Sequence, residues 1–263
     1  MKKIDWIEIP EGKFLMGLSE DQVQELTRQM SGRVLGDPED ILAMEIPQYL
    51  VHVPTFYISR FPITHKQFAE FTRDSYSQFD IPAYHVPEWA DHPVTGPWHH
   101  ARAFCAWIGA RLPSSIEWEK AARGTDGLLY PWGNQWDLNR GNFGQRNRRG
   151  RTQGIKSSPV GVYPEGASPY GVCDMVGNGY EWTMTLGVPI HKSRRYAQKI
   201  IIRGSDPDAD ALYPAYHRVT GIMAGGVSYM SWPPYTGFRP VMDEWQQQHW
   251  PGFTAKSDEG EQD

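Results

Sequence analysis

Apolar positions alternate along the first stretch of the chain: Ile4, Trp6, Ile7 and Ile9, then Phe14 and Met16, with Pro10-Glu11-Gly12 between them. A period of two on either side of a turn-forming triplet predicts two strands joined as a hairpin. Residues 18–48 are polar with scattered apolar positions at Val23, Leu26 and Met30, which predicts a helical insertion. Val51 to Arg60 alternates again and reads as a single strand.

The pattern then changes to helical spacing. Thr64 followed by Gln67 is a capping-box signature ahead of Phe68 and Phe71, and it predicts a short helix. A second helix is expected from about Pro97 to Ile108, with Ala101, Phe104, Cys105 and Ile108 on one face. After Arg111-Leu-Pro, Ser114 caps a third over Ser115–Arg123, with Trp118, Ala121 and Ala122 turned inward. From Gly124 to about Val188 the chain reads as turns and irregular structure. Residues 199–204 read as a buried strand and Thr236–Val241 as a last one. The acidic end from Trp245 reads as disordered.

Composition sharpens this to one loop-rich domain over residues 1–244. With 263 residues the chain can bury roughly 70% or more of its unfolded surface without a staple. Its 11 Trp, 13 Tyr, 26 Gly and 21 Pro predict short strands and long ordered loops held by large flat side chains. A net charge of -5 argues against nucleic acid as a partner. No apolar run is long enough for a membrane span, and no signal peptide is evident, so a cytoplasmic location is expected. Cys105 and Cys173 are expected as reduced core thiols.

A series of motifs runs along the chain: Trp6–Gly17, His92-Pro-Val-Thr95, Ala103–Trp107, Arg111-Leu-Pro-Ser-Ser-Ile-Glu-Trp-Glu-Lys-Ala-Ala-Arg-Gly124 and Tyr130-Pro-Trp-Gly-Asn134. Ser158-Pro-Val-Gly161, Tyr170–Trp182, Arg203-Gly-Ser205 and Gly237-Phe-Arg239 complete it. Taken in this order, they resemble the formylglycine-generating-enzyme (sulfatase-modifying-factor) family. The resemblance implies an α+β, C-type-lectin-like fold. It also implies a calcium site at Asp174, Val176, Asn178 and Glu181, where hard oxygen donors lie within one short loop. The bare residues allow an Asx-turn network instead. For the family's second calcium site Asn142 fits one ligand position, but residues 146–153 supply cations and no carboxylate.

The chain departs from the family's enzymes where they place two cysteines that bind Cu(I). Two soft thiolates hold that ion while O₂ binds, and no cysteine lies between Arg203 and Arg239. Copper is therefore not expected. Residues 205–236 also contain no Lys, Glu, Gln or Asn; they carry Asp206, Asp208, Asp210, Tyr213, Tyr216, His217, Trp232 and Tyr235 among small residues. Rigid amphipathic rings with small spacers suit an adaptable binding face for a protein or small ligand. The segment resembles the diversified part of retroelement-mutated variable proteins, although Asp206 stands where those usually have Trp. Two functions follow: a calcium-braced binding module, or a cysteine-independent metal-dependent oxidase. In the second, iron is the candidate metal, with His99, His100, His191 and His217 and the Asp206–Asp210 cluster as candidate ligands.

Overall fold

The computed structural model describes residues 4–30, 37–74, 82–143, 157–186, 200–205, 218–221, 223–225 and 235–244. The acidic end expected to be disordered and the basic loop at 146–153 lie outside the described residues.

The first two strands form where expected but do not pair with each other. Strand β1 (Trp6–Ile9) pairs with β4 (Phe56–Ser59), and β2 (Gly12–Met16) pairs with β3 (Tyr49–Val53), both antiparallel. The register runs on unbroken, Ile9 facing Phe56 and Gly12 facing Val53, so these are two halves of one long ribbon. Pro10 and Pro54 fall opposite each other's neighbours at the break, and neither has an N–H to give to the ladder. The expected hairpin and the expected single strand over 51–60 are both corrected by this proline break.

Helices α1 (Glu20–Met30) and α2 (Pro38–Leu42) connect β2 to β3. Their Leu26, Met30 and Leu42 bury against Leu129 and Tyr130 in a small core of their own.

The three helices read from the sequence are all present. Helix α3 (His65–Asp74) starts at Thr64, whose hydroxyl accepts from the Gln67 N–H while the Gln67 side chain accepts from the Thr64 N–H. Helix α4 (Trp98–Trp107) buries Ala101, Phe104 and Cys105, with Ile108 buried at its C-terminal end. Helix α5 (Ser115–Arg123) opens with a full capping box between Ser114 and Glu117. Its Trp118, Ala121 and Ala122 are fully buried. The rings of Phe68, Phe71, Phe104 and Phe238 pack edge-on or stacked at centroid separations of 5.2–6.2 Å, in the aromatic half of the core.

Strand β5 (Gly179–Leu186) lies inside the stretch expected to be irregular, which corrects that expectation. Its residues Tyr180-Glu-Trp-Thr-Met-Thr-Leu186 are mostly aromatic or β-branched and suit a pleated sheet. It pairs antiparallel with β6 (Ile200–Ser205), which pairs with β7 (Met223–Gly225), and parallel with β8 (Thr236–Gly237). The last strand is also split: β9 (Val241–Asp243) leaves β8 after Pro240 and joins β4 instead. Both cysteines are free and buried, as expected.

Replacing Ser114 with Ala removes the accepting oxygen of the α5 capping box. The expected loss is about 1 kcal/mol in urea unfolding, with no change in the slope of the transition.

Candidate functional site

The chain enters β5 through a loop whose backbone is under strain. Among the described residues the non-glycine positions with positive φ are Asp174 (57°), Asn178 (62°) and Tyr235 (57°). All three line one cavity of about 10 Å³, room for about one water-sized group. Such conformations cost free energy and persist only where surrounding bonds over-determine them. Here those bonds are visible. Gly179 comes so close to Tyr235 that a Cβ would stand 2.7 Å from its carbonyl oxygen, and the Tyr180 N–H donates to that carbonyl at 2.9 Å.

Each side chain expected at the calcium site has a different task. Asn178 accepts from the Ser158 N–H at 2.7 Å and from the Asn142 amide at 3.2 Å, and donates to the Ser158 carbonyl. Glu181 is buried and accepts from Arg239 Nε and Nη2, both at 2.7 Å, and from Trp118 Nε1 at 2.8 Å. The Val176 carbonyl faces Gly141, 3.1 Å from where a Cβ would stand. Asp174 accepts one bond at 2.8 Å, from the Gly161 N–H. Burial pushes its carboxyl up to about 6, only partly offset by that bond and by Arg239.

Calcium needs six to eight oxygens turned to one point. With Asn178 and Glu181 committed to protein donors, this set does not fit that ion. The Asx-turn alternative describes it better. Asn142, the candidate for the second calcium site, gives its amide to Asn178. Among the described residues no three His, Cys, Asp or Glu side chains converge as metal ligands.

Arg239 is the site residue that reading the loop alone overlooked. Besides Glu181 it donates to the carbonyls of Ser59, Arg60 and Cys173, so one guanidinium ties β4, the loop and β5 together. Its presence in Gly237-Phe-Arg239 was the available signal: an arginine among buried residues needs a buried carboxylate.

The segment expected to form the ligand face is anchored at this same loop. Ser205 pairs with Gly179 and its hydroxyl accepts from the Gly177 N–H at 2.7 Å; Thr236 pairs with Tyr180. Asp206, Asp208, Asp210, Tyr213, Tyr216, His217 and Trp232 lie outside the described residues, while Tyr235 lines the cavity. The segment is not one continuous surface, however. Arg218 is buried in an ion pair with Glu45, Val219 donates to the Leu129 carbonyl, and the carbonyl of Thr220 accepts from Arg203. That middle stretch belongs to the core, which corrects the expectation of a single displayed face over 205–236.

Of the histidines considered as metal ligands, His191 and His217 lie outside the described residues. His100 Nδ1 meets the Tyr84 hydroxyl at 2.8 Å, and burial pulls its pKa down to about 4. His99 beside it is also lowered by burial.

A family model described as the sulfatase-modifying factor enzyme 1-like domain matches residues 2–243. The chain is similar to the mouse (Mus musculus) inactive C-alpha-formylglycine-generating enzyme 2, 30% identical over 261 residues, which spans 81% of this chain and 77% of that protein. It is also similar to hercynine oxygenase from Mycolicibacterium smegmatis, 30% identical over 276 residues; the match takes in 90% of this chain but 56% of that one. Among solved structures, PvdO from Pseudomonas aeruginosa superposes with a TM-score of 0.63 at 21% identity, covering 90% of this chain and 93% of its own, a likeness of fold.

Replacing Glu181 with Gln strands the Arg239 charge in the core. The expected cost is about 3–5 kcal/mol in urea unfolding, and the pair replacement Glu181→Leu with Arg239→Met recovers only part of it, because Trp118 Nε1 and the carbonyls of Ser59, Arg60 and Cys173 lose their partners.

Proposed function

We propose, on the premise that this chain belongs to the sulfatase-modifying factor enzyme 1-like family, that it is a ligand-binding member without copper-thiolate formylglycine chemistry. Its ligand, a protein or a small molecule, binds through the Tyr- and Asp-rich residues of the 205–236 segment. One observation carries this reading: both ends of the segment rich in Tyr and Asp are fixed on the first two residues of β5, beside the strained loop. The two ends of that segment therefore lie close to Asp174.

The thiols support the same reading. Cys105 sits inside the aromatic core and Cys173 is buried beside the loop. Burial pushes both thiols up, away from the thiolate that Cu(I) requires. Likeness to a protein named as an inactive formylglycine-generating enzyme accords with this.

The alternative is a metal-dependent oxidase or tailoring enzyme that works without the cysteine pair. It is favoured by the likeness to hercynine oxygenase over most of the chain. Its candidate ligands are His217 with Asp206, Asp208 or Asp210.

Metal analysis by mass spectrometry separates the two. The binding reading predicts that, after dialysis, iron and copper together stay far below one per chain, and that His217→Ala leaves the metal content unchanged. Stoichiometric iron or copper that survives dialysis and is lost in His217→Ala would overturn it.

A further inference from the structure

Across Pro62 from the Asp174 cleft lies a second and larger cavity of about 290 Å³, at the lower end of the size range of small-molecule sites. It is bounded by the start of β1, the end of β4, the first turn of α3 and the turn at Asp91. The wall between Phe61, Pro62 and Val160 is apolar. Gly161 permits this wall: a Cβ there would stand 2.6 Å from the Phe61 ring.

The polar groups at the rim divide into spent and unspent. Asp5 is held by Arg60 at 2.7 Å, and Thr64 and Gln67 are tied to each other in the α3 capping box. The backbone N–H groups of the α3 first turn are likewise committed, His65 to the His92 carbonyl and Lys66 to the Ala90 carbonyl. Lys66 and Asp91 differ. Both side chains line the cavity, and neither ammonium nor carboxylate has a hydrogen bond or ion pair to any described residue, including to each other. Opposite charges that share a cavity wall without meeting are complementary to a molecule that brings both counter-charges at once.

We infer that this cavity is a binding site for a free α-amino acid with a compact apolar side chain, its carboxylate on Lys66, its ammonium on Asp91 and its side chain against Phe61, Pro62 and Val160. A molecule with only one of the two charges leaves the other rim group unanswered, so both are required for selectivity. Each contact is partly open to water, so the pair contributes more to recognition than to raw affinity. The site adjoins the Asp174 cleft but does not depend on the proposed function. Stoichiometric iron at His217 would sink that reading and leave this one intact.

The test is thermal unfolding of the full chain, with calorimetric titration, using L-leucine, isovalerate and isopentylamine as probes. L-leucine at ten times its dissociation constant raises Tm by about 2–5 °C. Isovalerate, which lacks the ammonium, and isopentylamine, which lacks the carboxylate, bind about three- to fivefold more weakly. Lys66→Met and Asp91→Asn each reduce the leucine shift correspondingly. Both side chains are exposed, so the unliganded Tm of each variant stays within about 1 °C of the parent. The inference is overturned if leucine gives no shift, if the single-charge probes match it, or if either variant retains it in full.

Discussion

The carboxylate of Glu181 lies between the guanidinium of Arg239 and the indole N–H of Trp118, all three buried, and the rest of the site depends on it. Trp118 brings α5, Arg239 brings the stretch between β8 and β9, and Glu181 is the third residue of β5. A fold made of short strands has few long ladders to hold distant segments together. Buried charged groups take over that role here. Glu119 joins Arg123 at 2.8 Å to Arg203 at 2.7 Å, and Glu45 reaches Arg218 across most of the sequence. Replacing such pairs by well-fitted apolar groups is often neutral, so their value lies less in net stability than in admitting one arrangement only.

That constraint explains how the loop at 174–178 tolerates left-handed Asp174 and Asn178. Arg239 donates to the loop's carbonyls at Cys173 and Asp174, Asn178 is locked to Ser158 and Asn142, and Ser205 holds the Gly177 N–H. The loop is braced by the protein's own donors, which leaves Asp174 as its one lightly bonded carboxylate. The cleft beside it and the neighbouring Lys66–Asp91 cavity share Pro62, so the two form adjoining parts of one face.

Much of this was legible in the sequence where the signal is local. Thr64 with Gln67 as a capping box and Ser114 as an N-cap announced two helix starts, because such signals need at most four consecutive residues. The family motifs placed the α+β fold. Pairing was less legible: Pro10 and Pro54 are far apart in sequence, and only their meeting in space shows that two predicted pieces are one interrupted ribbon. Strand β5 was hidden by the Gly-Asn-Gly that precedes it. Glu181 read as a metal ligand because its partner, Arg239, is 58 residues away, and short-range spacing cannot show that a carboxylate is already paired. For the same reason Arg218, paired with Glu45, looked like part of a surface segment.

The central claim is that protein donors, not a bound ion, hold the loop that enters β5. Thermal unfolding of protein freed of metal by chelator, with and without millimolar calcium, tests it directly. The account predicts melting temperatures that agree within about 1 °C, since an ion with no site in the native state cannot shift the equilibrium. A calcium-dependent rise of several degrees that disappears in Asp174→Asn would contradict it.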